Sequence, residues 1–412
     1  MPNSRRRLPA DFWRLWSAAT ISGIGNGVRL TALPLLAAGL TRDPQSVSLV
    51  AAAGGLPWLL LALPAGALVD RWDRKRVLWG ADFARTAVVG LLALAVAGGL
   101  ASVPLLGTAA FLLGSAETLF ANAAQATVAV VVPRAHLEHA NGRLYAGELV
   151  AGVFVGPPLG GVLFAVAAAV PFAVDAATFL VAALLAVSLR ADLAVPATGT
   201  EQRQRRFRAQ IAEGVRWLWR HRELRAMCLL LTLWNLVENA VFAILVLWAL
   251  EVLRLPQAAY GVLLTGLAAG GVFGSLLADR LAKAAGAGAS IACSLWVTVL
   301  AYAGLGLTTH GVVAFALLGL VGAAAMVWNV LTAAFRQAVV PSRLQGRINS
   351  VYRGASWGVI PIGAALGGAA ADHLGLRAPF LLAAGLLAVA GAVGLPHLRT
   401  GRLARARAAA EA

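Results

Sequence analysis

PRAHLEHAN (residues 133–141) returns as PSRLQGRIN at 341–349, with Pro and Asn eight apart in both and the two prolines 208 residues apart. Other landmarks keep the same step. Asp70-Arg71 is followed 209 residues later by Asp279-Arg280, and Gly160-Gly161 is followed 207 residues later by Gly367-Gly368. Three landmarks in register describe one unit used twice. What the unit is made of follows from composition. The chain has 412 residues, is 60% hydrophobic and 13% charged, and has a mean hydropathy of +0.78. Apolar blocks of about 20 residues recur along its length, each long enough to cross a hydrocarbon layer of about 30 Å. Near-continuous apolar runs dotted with Gly and Ala suit helices; barrel strands would alternate. The expected fold is an all-α membrane protein with twelve transmembrane helices in two pseudo-symmetric six-helix bundles.

The spans are placed near residues 12–38, 46–69, 77–100, 105–131, 143–166, 171–189, 225–250, 257–278, 287–308, 312–334, 350–371 and 378–396. Residues 1–189 form the first bundle, 190–224 a cytoplasmic linker, and 225–412 the second bundle with a basic tail. Within the linker, Ile211, Val215, Leu218 and Trp219 recur at helical spacing between arginines, the pattern of a helix lying on a membrane face. The first apolar block has no small-residue cleavage pattern after it, so it reads as a retained helix.

The net charge of +16 is a matter of topology. With a cytoplasmic N-terminus, 29 of the 34 Lys and Arg fall in inside segments, and only Arg42, Arg254 and Arg377 fall outside. Such a split places both termini in the cytoplasm. The basic segments attract anionic lipid headgroups, and no nucleic-acid module is present. Cys228 and Cys293 sit in separate apolar blocks and read as unpaired thiols. The six histidines fall in loops or at span ends without metal-ligand spacing, so no metal is expected. No phosphate-binding Gly-rich loop with Lys is present. The chain reads as neither an enzyme nor an ATP-driven pump, with no cofactor and an ion gradient as the energy source.

Two motifs carry the mechanism. The loop after span 2 reads GALVDRWDRKRV (66–77), in which Gly66 permits close backbone approach. Asp70 sits at a helix C-terminus where the dipole disfavours an acid, so it needs a partner and can latch one state. Span 5 contains GVFVGPPLGG (152–161), whose glycines permit tight packing while Pro157 frees a backbone carbonyl and lets the helix bend.

These segments resemble the major facilitator superfamily. Gly66, Asp70, Arg71, Arg74 and Lys75 match its loop signature, with Asp73 in place of the usual second glycine. Gly152, Gly156, Pro157, Gly160 and Gly161 match the span 5 motif of its antiporters. ADFARTAVV (81–89), AETLFANAAQATVAVVVPRAHLEHAN (116–141), EGVRWLWRHREL (213–224) and residues 327–368 resemble the drug:proton antiporter branch that holds macrolide-efflux and enterobactin-exporter-like proteins. The resemblance covers nearly the whole chain. It implies proton-coupled export of small amphipathic molecules by alternating access, with a small-molecule substrate, protons and the bilayer as partners and a monomer as the unit. Export of an endogenous metabolite or siderophore is the alternative. A non-transporting receptor or lipid-handling protein on the same scaffold is the alternative of another class. Two departures stand out. Asn26 occupies a position where the branch often has Asp, and Glu117 stands in the region of span 4 where other drug:proton antiporters carry Arg.

Ionisable groups within spans cost several kcal/mol, about 2.5–3.5 on insertion scales, and mark function by default. Asp82 and Arg85, three apart on span 3, are expected to form a structural brace with the charges of loop 2–3. Glu117, near the middle of span 4, is a proton-carrier candidate. Glu148 lies at the inner end of span 5, and Asp175 near the outer end of span 6 reads as a helix cap. In ISGIGNGVRLTALPLL (21–36), Asn26 and Arg29 interrupt span 1. A shift of 209 maps them onto Asn235 and Glu238 of span 7, with Asn239 beside them. Spans 1 and 7 are equivalent helices that line the cavity in the superfamily, so Arg29 and Glu238 are expected to pair across the pseudo-two-fold axis in at least one state. Arg29 lies roughly 14 Å from the predicted outer end of its span at about 1.5 Å per residue, too far to reach the interface. Trp58, Trp234, Trp248, Trp328 and Trp357 are spread through spans and are candidates to stack on a bulky substrate, although packing and anchoring are the commoner roles; Phe242 and Asn329 are contact candidates of similar weight.

Overall fold

The computed structural model describes residues 8–69, 72–191 and 212–411. These are helical almost throughout. Eleven helices are long and apolar enough to cross a membrane. They are α2 (Pro44–Val69), α3 (Arg74–Ala97), α4 (Val103–Val131), α5 (Leu137–Val166), α6 (Val170–Val187), α7 (Arg222–Val252), α8 (Gln257–Ala285), α9 (Ala287–Leu307), α10 (Gly311–Val339), α11 (Leu344–Leu374) and α12 (Ala378–Leu398). The twelfth, α1 (Ala10–Leu40), has 31 residues, more than the about 20 that a span needs. Its composition is diluted by Asn26, Arg29 and a run of Ser, Thr and Gly. A last helix, α13 (Thr400–Glu411), forms the basic tail.

Both expected long crossings begin earlier than hydropathy suggested. The polar repeats are the reason. Pro133 accepts the amide of His136 at 2.8 Å, and Pro341 accepts the amide of Leu344 at 2.8 Å, so each proline opens the same i to i+3 turn. The turns lead directly into α5 and α11, and the helices start with their polar feet instead of at the apolar residues. Proline suits this place because its missing N–H would lack an intrahelical partner anyway.

The chain divides into two compact units. The first comprises residues 1–42, 53–197 and 256–265; the second comprises 43–52, 198–255 and 266–412. Each unit is built by the same pairings. In the first, α1 packs on α5 and α6, and α3 packs on α4 and α6. In the second, α7 packs on α11 and α12, and α9 packs on α10 and α12. Six helices on, every partner recurs. The repeat reaches single residues. A Cβ on Gly156 would collide with Gly27 of α1, and one on Gly363, 207 residues later, would collide with the carbonyl of Leu236 in α7. Small residues therefore set the helix spacing at the same point of both units.

Within the linker, residues 212–220 are helical. Leu218 is buried, while Val215 and Trp219 are exposed, and Ile211 lies outside the described residues. Glu213 pairs with Arg347 at the foot of α11, and Gly214 packs against the same turn.

Candidate functional site

The loop between α2 and α3 explains its own departure from the signature. Asp73 caps α3: its carboxylate accepts the backbone N–H groups of Lys75 and Arg76. A glycine cannot do this, so the substitution replaces turn freedom with a helix start. Lys75 extends across the unit, and its Nζ donates to the carbonyl of Leu189, past the end of α6, at 2.8 Å. Arg74 has a buried Nε without a hydrogen-bond partner. Asp70 and Arg71 lie outside the described residues, and Gly66 falls within α2.

The span 5 motif forms a packing seam with a bend at its centre. Gly23, Gly27 and Val28 of α1 face Gly152, Gly156 and Gly160 of α5 in order. Thr31 Oγ1 donates to the carbonyl of Pro157 at 3.0 Å and ties α1 to the motif. Just before Gly156-Pro157 the helix widens into a π-helical stretch, Leu149–Val155. Proline's missing donor disrupts the regular ladder, and π-bulges sit where that ladder is re-spaced. Gly161 points away from α1, toward Ala258 within the same unit.

Two ion-pair clusters lie inside the first unit. In one, Arg29 Nε donates to Asp175 Oδ2 at 2.9 Å, and Nη2 donates to Asn26 Oδ1 at 2.6 Å. Asp175 is fully buried and the Arg29 side chain is 20% exposed. In this structure Arg29 pairs with an acid of its own unit, whereas the sequence pointed to Glu238. The reason is packing: α1 lies against α6 along its length, and Gly25 leaves the gap that Asp175 and Thr178 fill. Asp175 is an interior counter-ion and not the helix cap that its position suggested.

In the other cluster Arg85 reaches two acids. Its Nη1 lies 3.0 Å from Asp82 Oδ1, and its Nη2 lies 3.0 Å from Glu117 Oε2. Asp82 and Arg85 are sealed from solvent, but Glu117 is 34% exposed. Phe120 and Phe179 flank the guanidinium at 4.5 and 5.2 Å. The brace thus joins α3 to α4, whereas the sequence pointed it at the loop charges.

The second unit holds a cavity of about 570 Å³. Three helices line it, each with one stripe. On α7 the stripe is Leu231, Trp234, Asn235 and Glu238; on α10 it includes Ala325, Trp328, Asn329, Thr332 and Arg336; on α11 it is Asn349, Tyr352, Arg353, Ser356 and Trp357. All three run at steps of three and four, so each is one helix face. Asn235 donates to the carbonyl of Leu231, four residues back, and Asn239 donates to that of Asn235. Asn239 lies off the cavity stripe, beside Gly363. Arg336 stacks on Tyr352 and Arg353 on Trp357, each at 4.5 Å. Trp234 and Trp328 touch across the cavity wall with centroids 5.6 Å apart. The sequence places Trp234, Trp328 and Glu238 in separate spans; each helix face is periodic on its own, and packing joins the three faces.

Comparison with known proteins places this architecture. The Tap multidrug efflux pump of Mycolicibacterium fortuitum is 29% identical over 404 residues, covering 93% of this chain and 95% of the pump. Macrolide efflux protein A of Streptococcus pyogenes is 23% identical over 389 residues, covering 91% and 93%. The crystal structure of the nucleoside transporter NupG superposes with a TM-score of 0.72 over 95% of this chain and 99% of that one, at 13% identity, and so shares the fold. The profile described as transmembrane secretion effector matches residues 8–408. With that match running nearly end to end over two helix-repeat units, the chain belongs to the transmembrane secretion effector family of the major facilitator superfamily, a multi-pass membrane transporter and not an enzyme.

Proposed function

We propose that this transporter exports small amphipathic molecules in exchange for protons, with both termini in the cytoplasm of a bacterial inner membrane. The observation that carries the coupling is the shared guanidinium of Arg85. Two carboxylates, Asp82 and Glu117, face one fixed cation inside a membrane-embedded unit. With both acids ionised the cluster holds one uncompensated negative charge, which a low-dielectric setting disfavours. One bound proton balances it. Asp82 is sealed, whereas Glu117 is partly exposed, so Glu117 is the acid that exchanges its proton with water. Protonation frees one side of Arg85 and loosens α4 from α3, the mechanical end of the coupling. The direction of transport rests on the two efflux relatives and on the span 5 motif. Arg29, held by Asp175, supports the scaffold in this reading.

The test uses proteoliposomes loaded with a pH-sensitive dye and a transported amphipathic compound. Wild type is expected to move protons against substrate. Glu117→Gln is expected to keep substrate counterflow and lose acceleration by a pH gradient. A Glu117→Gln protein with unchanged proton movement overturns the coupling.

A further inference from the structure

We infer that Asp175 is the second partner of Arg85: when Glu117 takes up a proton, the guanidinium it releases is received by the open oxygen of Asp175, and α6 carries the switch to α1 through Arg29. The inference rests on the coupling proposed for Glu117 and goes beyond it by joining the two ion-pair clusters of the first unit into one network.

The interior of the first unit holds a mismatch. Asp175 Oδ1 and Asp82 Oδ2 are buried acceptors without a hydrogen-bond partner, and Arg85 Nε is a buried donor without one. Asp175 and Asp82 are 0% exposed and Arg85 is 1% exposed, so bulk water does not satisfy them. Arg85 Nη2 meets Glu117 Oε2 at 3.0 Å as an ion pair, but without hydrogen-bond geometry. Buried polar groups are almost always paired. Unspent donors on one cation, among acids with unspent acceptors, fit a guanidinium that has more than one seat.

The two seats lie on either side of the same cation. Phe120 of α4 and Phe179 of α6 flank the guanidinium at 4.5 and 5.2 Å. Glu117 stands three residues before Phe120, and Asp175 stands four residues before Phe179. Residues at these spacings share a helix face, four residues spanning about 6 Å at about 1.5 Å per residue. Each ring therefore has a carboxylate about one turn away, and both rings hold a cation against their faces. The charges of Arg85 and Glu117 both reach Asp175.

The charge count gives the direction. Among the described residues, the charged groups that meet in these clusters are Asp82 and Arg85 from α3, Glu117 from α4, Asp175 from α6 and Arg29 from α1. Glu148 of α5 acts on Glu117 from an exposed position. Once Glu117 is protonated, Nη2 loses its anion, and Asp175 Oδ1 is the open carboxylate oxygen on another helix. Asp82, three residues back on the same helix, keeps Nη1 in either position. Asp175 then shares its charge between two arginines, which slackens its hold on Arg29 and so on α1.

The experiment is a pH titration of the full-length protein in lipid by infrared difference spectroscopy. It reads the carbonyl band of protonated carboxyl groups and needs no substrate. Glu117→Gln is expected to remove the titrating band. The double variant Arg29→Gln with Asp175→Asn removes one charge of each sign, so the net charge is kept while the receiving carboxylate is lost. Its band should develop about one pH unit lower than in wild type, a tenfold loss of proton affinity. An unchanged midpoint overturns the hand-over. A cryo-electron microscopy structure of Glu117→Gln leaves residue 175 intact and carries the test if the double variant does not fold. Arg85 is expected within hydrogen-bond distance of Asp175 Oδ1 there. A guanidinium that stays on the glutamine, or closes on both oxygens of Asp82, overturns the hand-over. A titrating band that survives in Glu117→Gln overturns the coupling assigned to Glu117. Loss of that band with an unchanged midpoint in the double variant overturns the hand-over alone.

Discussion

Arg29 gives the residue scale its clearest lesson. A guanidinium inside a span needs a partner, and that much follows from its position in the sequence. Which partner it takes does not. The repeat relates Arg29 to Glu238 by symmetry, but contact is decided by which helices share a face, and α1 lies on α6. Asp175 is buried completely there, with its second oxygen unbonded. Removing one member strands the other, at a cost of about 3–5 kcal/mol. Asp175→Ala is accordingly expected to lower the melting temperature of detergent-solubilised protein strongly. The double variant Arg29→Gln with Asp175→Asn should recover most of the loss, because it removes both charges and keeps hydrogen-bonding groups. Scanning fluorimetry checks both, and a single variant as stable as wild type would show that the pair contributes nothing.

Among the elements, α5 shows how much of a motif is packing. Its glycines were legible from spacing alone, but their unequal tolerance was not, since it depends on the backbone that faces each one. A Cβ on Gly152 would meet the Gly23 carbonyl oxygen at 3.4 Å, whereas one on Gly156 would meet the Gly27 carbonyl carbon at 2.8 Å. Gly152→Ala should therefore retain near-normal transport and melting, and Gly156→Ala should lose most of both; equal effects would contradict the seam. The turn before α2 makes a second expectation. Asp43 accepts the amides of Gln45 and Ser46 at 3.2 and 2.9 Å. Its carboxyl is held below the ordinary value, chiefly by the Ser46 side chain. A depressed carboxylate pKa stabilises the fold above the unfolded value, about pH 3.9, and that stability is lost as pH falls through the folded value. Asp43→Ala should cost about 1 kcal/mol at neutral pH. The variant and wild type should converge in melting temperature as the pH falls below the ordinary carboxylate range; a gap that persists unchanged would exclude the cap.

At the scale of the whole molecule, the sequence carried the helix count, the two-fold repeat and the family, because apolar blocks and helix-breaking landmarks are local features. It carried the cavity poorly. Trp234, Trp328 and Ser356 lie on three helices that are far apart in the chain, and only tertiary packing brings their faces together. The proposed orientation is testable in the same terms. In a protein whose Cys228 and Cys293 are replaced by Ser, Glu213→Cys should react with a membrane-impermeant maleimide only in inverted vesicles, and Asp43→Cys only in intact cells. The reverse pattern would invert the topology. One feature of α5 reaches further. The stretch Leu149–Val155 holds a surplus residue that a regular helix has no place for. One residue corresponds to about 100° of helical turn. If the surplus is drawn out of α5, the polar foot Leu137–Glu148 swivels by about that angle while Gly156–Val166 stays seated on α1. Such a rearrangement would make the helix a swivel joint, one end turning a new face to water while the other stays in its seam.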